Sequence, residues 1–216
     1  MIGYVTLTVP VNRRRELVSD TMRVYSGLFN INGDFLVNES NAYEVLGASY
    51  DGVSQTPQRG AEFTEDLINE HQSNWLIGDQ VRVTTLLDDA GRVHEVGYYN
   101  QLGKLAVSEQ FRPNGQLVRR QYWNHAGQIS LTEFFDGQQQ VTVMAMQTET
   151  GAHWYQWPNQ LQERHLTGEL DLLFDLLQDA VNRHEIDSLW VDESVAGVNW
   201  EVLGVPVRRL TDDEEL

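Results

Sequence analysis

Cysteine is absent from this chain of 216 residues, which excludes a disulfide framework and thiolate chemistry. Basic residues are scarce: 15 Lys and Arg stand against 32 Asp and Glu, giving a formal charge of −17 and a pI near 4.6. Phosphates repel such a chain, so nucleic acid and anionic membrane surfaces are not expected partners. No apolar run approaches the length that spans a bilayer, so membrane insertion is not expected. The opening "MIGYVTLTVPVNRRRE" puts its arginines after the apolar stretch, the reverse of a secretory signal. A cytoplasmic protein is the expectation.

Catalytic signatures are equally absent. The six histidines are His71, His94, His125, His153, His165 and His184, and none forms H-x-H or H-E-x-x-H. A metal site is therefore not expected. G-x-S-x-G, G-x-G-x-x-G and the P-loop pattern are missing too, so no cofactor is expected. Hydrophobic residues still make up 41% of the chain, enough for one large domain or two small ones.

What the chain does contain is a beat. Gly91, Gly103, Gly115 and Gly127 recur every 12 residues. Each has an aromatic or leucine four residues before it and an aliphatic two after it: Leu87/Val93, Tyr99/Leu105, Phe111/Leu117 and Trp123/Ile129. The intervening turns read "DDAG", "NQLG", "RPNG" and "NHAG". A type I turn followed by a left-handed glycine makes a three-residue hairpin loop. Asn100 and Asn124 suit its first position and Pro113 its second. The beat predicts an antiparallel meander of about six strands between Val81 and Met146.

Carried inward without a slip, the register sets Arg119 between Glu109 and Glu133 as a cross-strand charge row. It puts Tyr99, Phe111, Trp123 and Phe135 on one face of the sheet. Tyr98, Tyr122 and Phe134 go on the other, with Arg120. Neither face is cleanly apolar, so two readings stand: the aromatics pack on a neighbouring layer, or the sheet is a platform open to an extended partner. On the second reading Tyr98, Arg120, Tyr122 and Phe134 are the candidate acceptor or partner contacts.

The flanks alternate strand and helix. "IGYVTLTV" (2–9) predicts a strand. Leu17, Val18, Met22, Tyr25 and Leu28 predict an amphipathic helix from Arg13 to about Phe29. Short strand-like pieces, "DFLVN" and "YEVLGASY", lie in 30–60, and "TEDLINEHQ" (64–72) is too short to assign. The clearest helix is 167–185, with Thr167 as its cap and Leu170, Leu173, Phe174, Leu177 and Val181 as its apolar stripe. "DSLWVDES" (187–194) predicts a buried strand. Asp192 and Glu193 at its end are either ligand groups or the cap of a following helix. The cluster Trp154, Tyr155 and Trp157 either stacks on sugar rings or packs locally. The fold class expected is α+β. A meander of hairpin repeats (31–160) is flanked by a strand–helix unit (1–30) and a helix–strand unit (161–210), in partial Rossmann-like form, with a tail at 211–216.

The repeated set "YYNQLGKL" and "QYWNHAGQI", followed by "LDLLFDLLQDAVNRHEIDSLWVDES", resembles part of the bacterial two-domain glycosyltransferases that carry an inserted extended β-sheet. These include the enzymes acting on serine-rich adhesins and on wall teichoic acid. The resemblance covers about 81–194 well and 1–80 poorly. It implies that the meander binds an acceptor and a partner subunit, and that "LWVDES" returns the chain into a Rossmann-like domain. The family commonly has Asp followed by Arg there; here Asp192 precedes Glu193. The resemblance implies an acceptor-binding and partner-docking piece without the sugar-nucleotide half. A noncatalytic subunit or remnant, working with a catalytic glycosyltransferase or an acceptor protein, is the expectation. Short hairpin-repeat proteins similar to antitoxins share the "Y-x-x-x-G-x-L" beat and are the alternative.

Overall fold

The computed structural model describes residues 1–6, 21–27, 36–43, 60–157, 161–195 and 197–210. The chain divides into two compact units. One comprises 1–30, 34–46 and 166–216; the other comprises 31–33 and 47–165.

The first unit is built on a parallel sheet. Strands β1 (Ile2–Thr6), β2 (Met22–Ser26) and β3 (Glu39–Asn41) precede the meander, and β14 (Ser188–Val191) and β15 (Val207–Arg209) follow it. Their order across the sheet is β15-β14-β1-β2-β3. All four pairings are parallel. The order reverses direction between β1 and β14, the topological switch point of a doubly wound sheet. Val5, Val24, Leu189 and Val191 are fully buried, as parallel strands covered on both faces require.

The helix expected from Arg13 to Phe29 meets a correction within its described part. Residues 22–26 form strand β2. Met22 and Tyr25 lie three apart, which suits one helix face. In a strand buried on both sides it also puts an apolar residue on each side, and both are buried here. Residues 13–20, residues 44–50 of "YEVLGASY" and residues 34–35 of "DFLVN" lie outside the described residues. So do Leu7–Val9 of the expected first strand and the tail. Val37 and Asn38 form a turn ahead of β3.

Helix α1 (Leu170–Asn182) buries Leu172, Leu173, Leu177 and Ala180. Leu170, Phe174 and Val181 of the expected stripe are half-buried, and Phe174 stacks on Trp200 with ring centroids 6.1 Å apart. Thr167 does not cap the helix. The cap position is Glu169, which accepts a 2.6 Å hydrogen bond from the Tyr43 hydroxyl. Thr167 instead donates its N–H and hydroxyl to Asp171 Oδ2, at 2.6 and 2.9 Å. The helix starts later than the motif suggested, and the acid inside its first turn reaches back.

The second unit is one antiparallel sheet of ten strands in the order β13 to β4, each paired with its sequence neighbour. The strands are β4 (Thr64–Asn69), β5 (Gln72–Ile77), β6 (Gln80–Leu87), β7 (Val93–Tyr99), β8 (Leu105–Phe111), β9 (Leu117–Trp123), β10 (Ile129–Phe135), β11 (Val141–Thr148), β12 (Gly151–Gln156) and β13 (Arg164–Leu166). The meander is longer than the glycines announce. "TEDLINEHQ" supplies β4 and the start of β5.

The turns are as the beat predicts. Gly91, Gly103, Gly115 and Gly127 have φ between 71° and 85°. Asn100 N–H donates to the Lys104 carbonyl at 2.9 Å, and Gly103 N–H to the Asn100 carbonyl at 3.0 Å. The Asn100 side chain accepts from the N–H groups of Leu102 and Lys104, and Asn124 does the same for Ala126 and Gln128. Asp88 and Asp136 repeat the device. The beat has a fifth member without glycine: Gln139 adopts φ 61° in the same turn position.

Inward from the turns, the register slips. Phe111 pairs with Leu117, but Gln110 pairs with Arg119, leaving Val118 as an extra residue. The same bulge falls at His94, Ala106, Ser130 and Thr142. A bulge shifts every later pair by one and so exchanges the faces. Equivalent residues of successive beats therefore face opposite sides, and a face repeats only every second beat.

Candidate partner-binding face

The slip rearranges the predicted charge row. Arg120, not Arg119, pairs with both Glu109 and Glu133. Arg120 donates to Glu109 Oε1 through Nε at 2.9 Å and Nη2 at 2.7 Å, and its Nη1 lies 3.7 Å from Glu133 Oε2. The Tyr98 hydroxyl donates to Glu109 Oε2 at 2.9 Å, and the Tyr122 hydroxyl to Glu133 Oε2 at 3.2 Å. A chain Tyr98–Glu109–Arg120–Glu133–Tyr122 thus crosses β7 to β10 on one face.

These side chains are half-buried: Arg120 is 30% exposed, Glu109 13% and Glu133 18%. Partial burial opposes the Arg120 charge, but the hydrogen bonds and charge of Glu109 outweigh it and raise its pKa. The guanidinium also lies 5.2 Å from the centroid of the Phe135 ring. Such cross-strand pairs contribute about 0.2–1 kcal/mol each. They also hold the long side chains in one arrangement across the four strands.

Of the four predicted contacts, Tyr98, Arg120 and Tyr122 come together on this face. Phe134 does not. It pairs with Arg119 and Val143, one residue out of the Arg120 row, and is only 6% exposed. The aromatics expected together on the other face are also divided. Phe135 lies under Arg120, and Phe111, two residues beyond Glu109 on β8, is on the same side as Arg120, opposite Gln110. Tyr99 and Trp123 take the opposite side, where Trp123 donates to Ser108 Oγ at 3.2 Å. Arg119 is on that side as well and donates to Gln110 Oε1 at 2.6 Å, while Gln110 donates to Glu95 at 2.9 Å. Glu109 and Glu133 are the members that the sequence reading set beside the wrong arginine. Their signal was a spacing of 11, from Tyr98 to Glu109, Glu109 to Arg120, and Tyr122 to Glu133.

At the end of β14, Asp192 is engaged. Its Oδ1 accepts from Ser194 N–H at 2.9 Å and opens a single 3₁₀ turn, Glu193–Val195. Its Oδ2 accepts from the buried Tyr4 hydroxyl at 2.7 Å. The capping alternative describes this residue. In the aromatic cluster, Tyr155 stacks with Trp157 at 6.3 Å and meets His165 edge-on at 5.2 Å, a local packing arrangement. Among the described residues no group of three or more His, Asp or Glu could hold a metal ion, and no helix is long and apolar enough to cross a membrane.

No family model matches the chain, and no curated protein matches it significantly. Solved structures do. The chain is similar to a GtfA/B complex bound to UDP and GlcNAc, with a TM-score of 0.71, 12% identity, and coverage of 97% of this chain and 48% of that one. It is similar to accessory secretory protein 1, 2 and 3 of Streptococcus pneumoniae, with a TM-score of 0.69, 8% identity, and coverage of 89% and 47%. TarM gives a TM-score of 0.62 at 10% identity, covering 88% and 45%. The chain spans about half the length of each of these chains. A parallel sheet interrupted by a long antiparallel meander is thus the fold this chain shares with part of the GT-B glycosyltransferases and their accessory proteins.

Proposed function

We propose that this chain is a noncatalytic, glycosyltransferase-related binding module that engages a polypeptide or polymer acceptor and docks on a catalytic glycosyltransferase. The observation that carries the reading is the prearranged Tyr98–Glu109–Arg120–Glu133–Tyr122 face on an extended sheet. Interfaces favour Tyr and Arg held in fixed geometry. The fold likeness to glycosyltransferase and accessory-protein complexes supports the choice of partner. The parallel sheet favours this reading over a free-standing hairpin-repeat antitoxin. Its acidity and lack of cysteine suit a cytoplasmic setting without nucleic-acid partners.

The carboxylate at the strand end supports the noncatalytic part, since Asp192 is committed to a turn and to Tyr4. The purified chain is expected to transfer or hydrolyse no sugar from UDP-sugars. Radiolabelled donor assays check this. A turnover that survives repurification and disappears in Asp192→Asn would overturn it.

A further inference from the structure

The face opposite Arg120 carries an open groove of about 550 Å³. Its walls are side chains of β5, β6 and the β7–β8 turn. Gln72, Asn74, Gln80 and Gln101 supply amides, Thr84 a hydroxyl and Tyr99 an aromatic ring. None of the lining side chains is charged, in a chain where 22% of residues are.

The Tyr99 ring lies beside a strand position without a side chain. Gly97 lies in mid-strand, paired with Thr84 and Ser108. A side chain there would meet Leu105 Cδ1 at 3.1 Å and the Tyr99 ring at 3.6 Å. The tight approach is to Leu105, while the Tyr99 ring passes over Gly97 at ordinary contact distance. The polar groups are also available. Thr84 donates to Asn74 Oδ1 at 3.0 Å, which fixes the Asn74 amide and leaves its NH₂ directed elsewhere. Gln80 Oε1 accepts from Arg82 at 2.7 Å, which orients that amide. Among the described residues, no hydrogen bond is made by the side chains of Gln72 and Gln101 or by the Tyr99 hydroxyl.

We propose that this groove is a saccharide site, in which a neutral pyranose stacks on Tyr99 and is hydrogen-bonded by Gln72, Asn74 and Gln101. A planar amide presents one acceptor beside two donors, the pattern that matches a pair of vicinal hydroxyls. The C–H face of a pyranose is apolar and fits an aromatic ring, as amphipathic ligands fit Tyr generally. A neutral lining offers nothing to an anionic polymer or a cationic peptide. An extended peptide is favoured by an open sheet edge, but β5, β6 and β7 are paired on both sides and have no free ladder. The site is on the face opposite the docking chain, so it stands or falls separately from the partner reading.

The test is calorimetric titration of the full chain with cellotriose and with chitotriose, with side-chain amide NMR shifts as a second readout. One trisaccharide is expected to bind with a dissociation constant of about 1 mM or tighter. Shifts should appear at the Gln72, Asn74 and Gln101 amides. Tyr99→Ala should weaken binding about tenfold, a loss of about 1.4 kcal/mol, and Tyr99→Phe should retain it. Gln101→Ala, in an exposed turn, should weaken it several-fold and covers the case in which Tyr99→Ala fails to fold. Tyr122→Ala should leave saccharide affinity unchanged. The proposal is overturned if neither trisaccharide binds, or if binding ignores both Tyr99→Ala and Gln101→Ala. It is also overturned if a neutral Ser/Thr-rich peptide, and not the saccharide, shifts the groove amides.

Discussion

Single residues set the turns, and two of them make opposite predictions. Gly115 has φ 85°, where a β-branched side chain is strained. Gly115→Val should destabilise the chain by roughly 1 kcal/mol or more. Gln139 occupies the same turn position at φ 61° and already bears that strain. Gln139→Gly should therefore stabilise it by about 0.5–1 kcal/mol, the left-handed penalty less the entropy cost of glycine. Chemical denaturation of the two variants checks both signs. Tyr25 gives a third residue-scale case. Its hydroxyl is buried with no hydrogen-bond partner. Burial, helped by the nearby charge of Glu185, pushes its pKa up to about 12 from 10. Because the folded-state pKa is raised, the folded chain holds the proton more tightly than the unfolded one. That stability is complete below pH 10 and is lost as pH rises from about 10 to 12. Tyr25→Phe should flatten this alkaline limb and raise stability at neutral pH by about 1 kcal/mol, since an unpaired buried hydroxyl is removed. Urea melts across the alkaline range measure both effects.

At the scale of elements, the turns were legible and the bulges were not. Asn100, Asn124, Asp88 and the glycines act on their own backbone, so their chemistry can be read in place. The extra residues His94, Ala106, Val118, Ser130 and Thr142 share a position but no side-chain type, so nothing in the sequence marks them. The consequence was large: a one-residue slip moved Phe134 away from Tyr122 and put Arg120 where Arg119 was expected. Strand β2 was misread for a related reason. A strand buried on both faces loses the alternation that would reveal it. The slip itself can be tested. A double-mutant cycle between Glu109 and Arg120 should give a coupling energy of about 0.5 kcal/mol or more. The cycle between Glu109 and Arg119 should give none beyond experimental scatter. The reverse pattern in denaturation midpoints would restore the unslipped register.

For the molecule as a whole, the order of elements was legible where individual contacts were not. The strand before the meander and the helix and strand after it pointed to the shared fold, although identity to the similar structures is only 8–12%. The switch between β1 and β14 could not be read in advance, because it joins strands that lie 186 residues apart. What the arrangement yields is a sheet with two differently furnished faces, one carrying the Arg120 chain and the other the neutral Tyr99 groove. The docking reading depends on the first. Its most direct test is a pull-down from native lysate followed by calorimetric titration of wild type and Tyr122→Ala against a glycosyltransferase so captured, beside melting curves of both. Capture of none would contradict the docking reading. The account predicts a loss of ~1–2 kcal/mol in binding with the melting temperature nearly unchanged. Unchanged affinity with a large fall in melting temperature would contradict it and make Tyr122 a structural residue of the sheet.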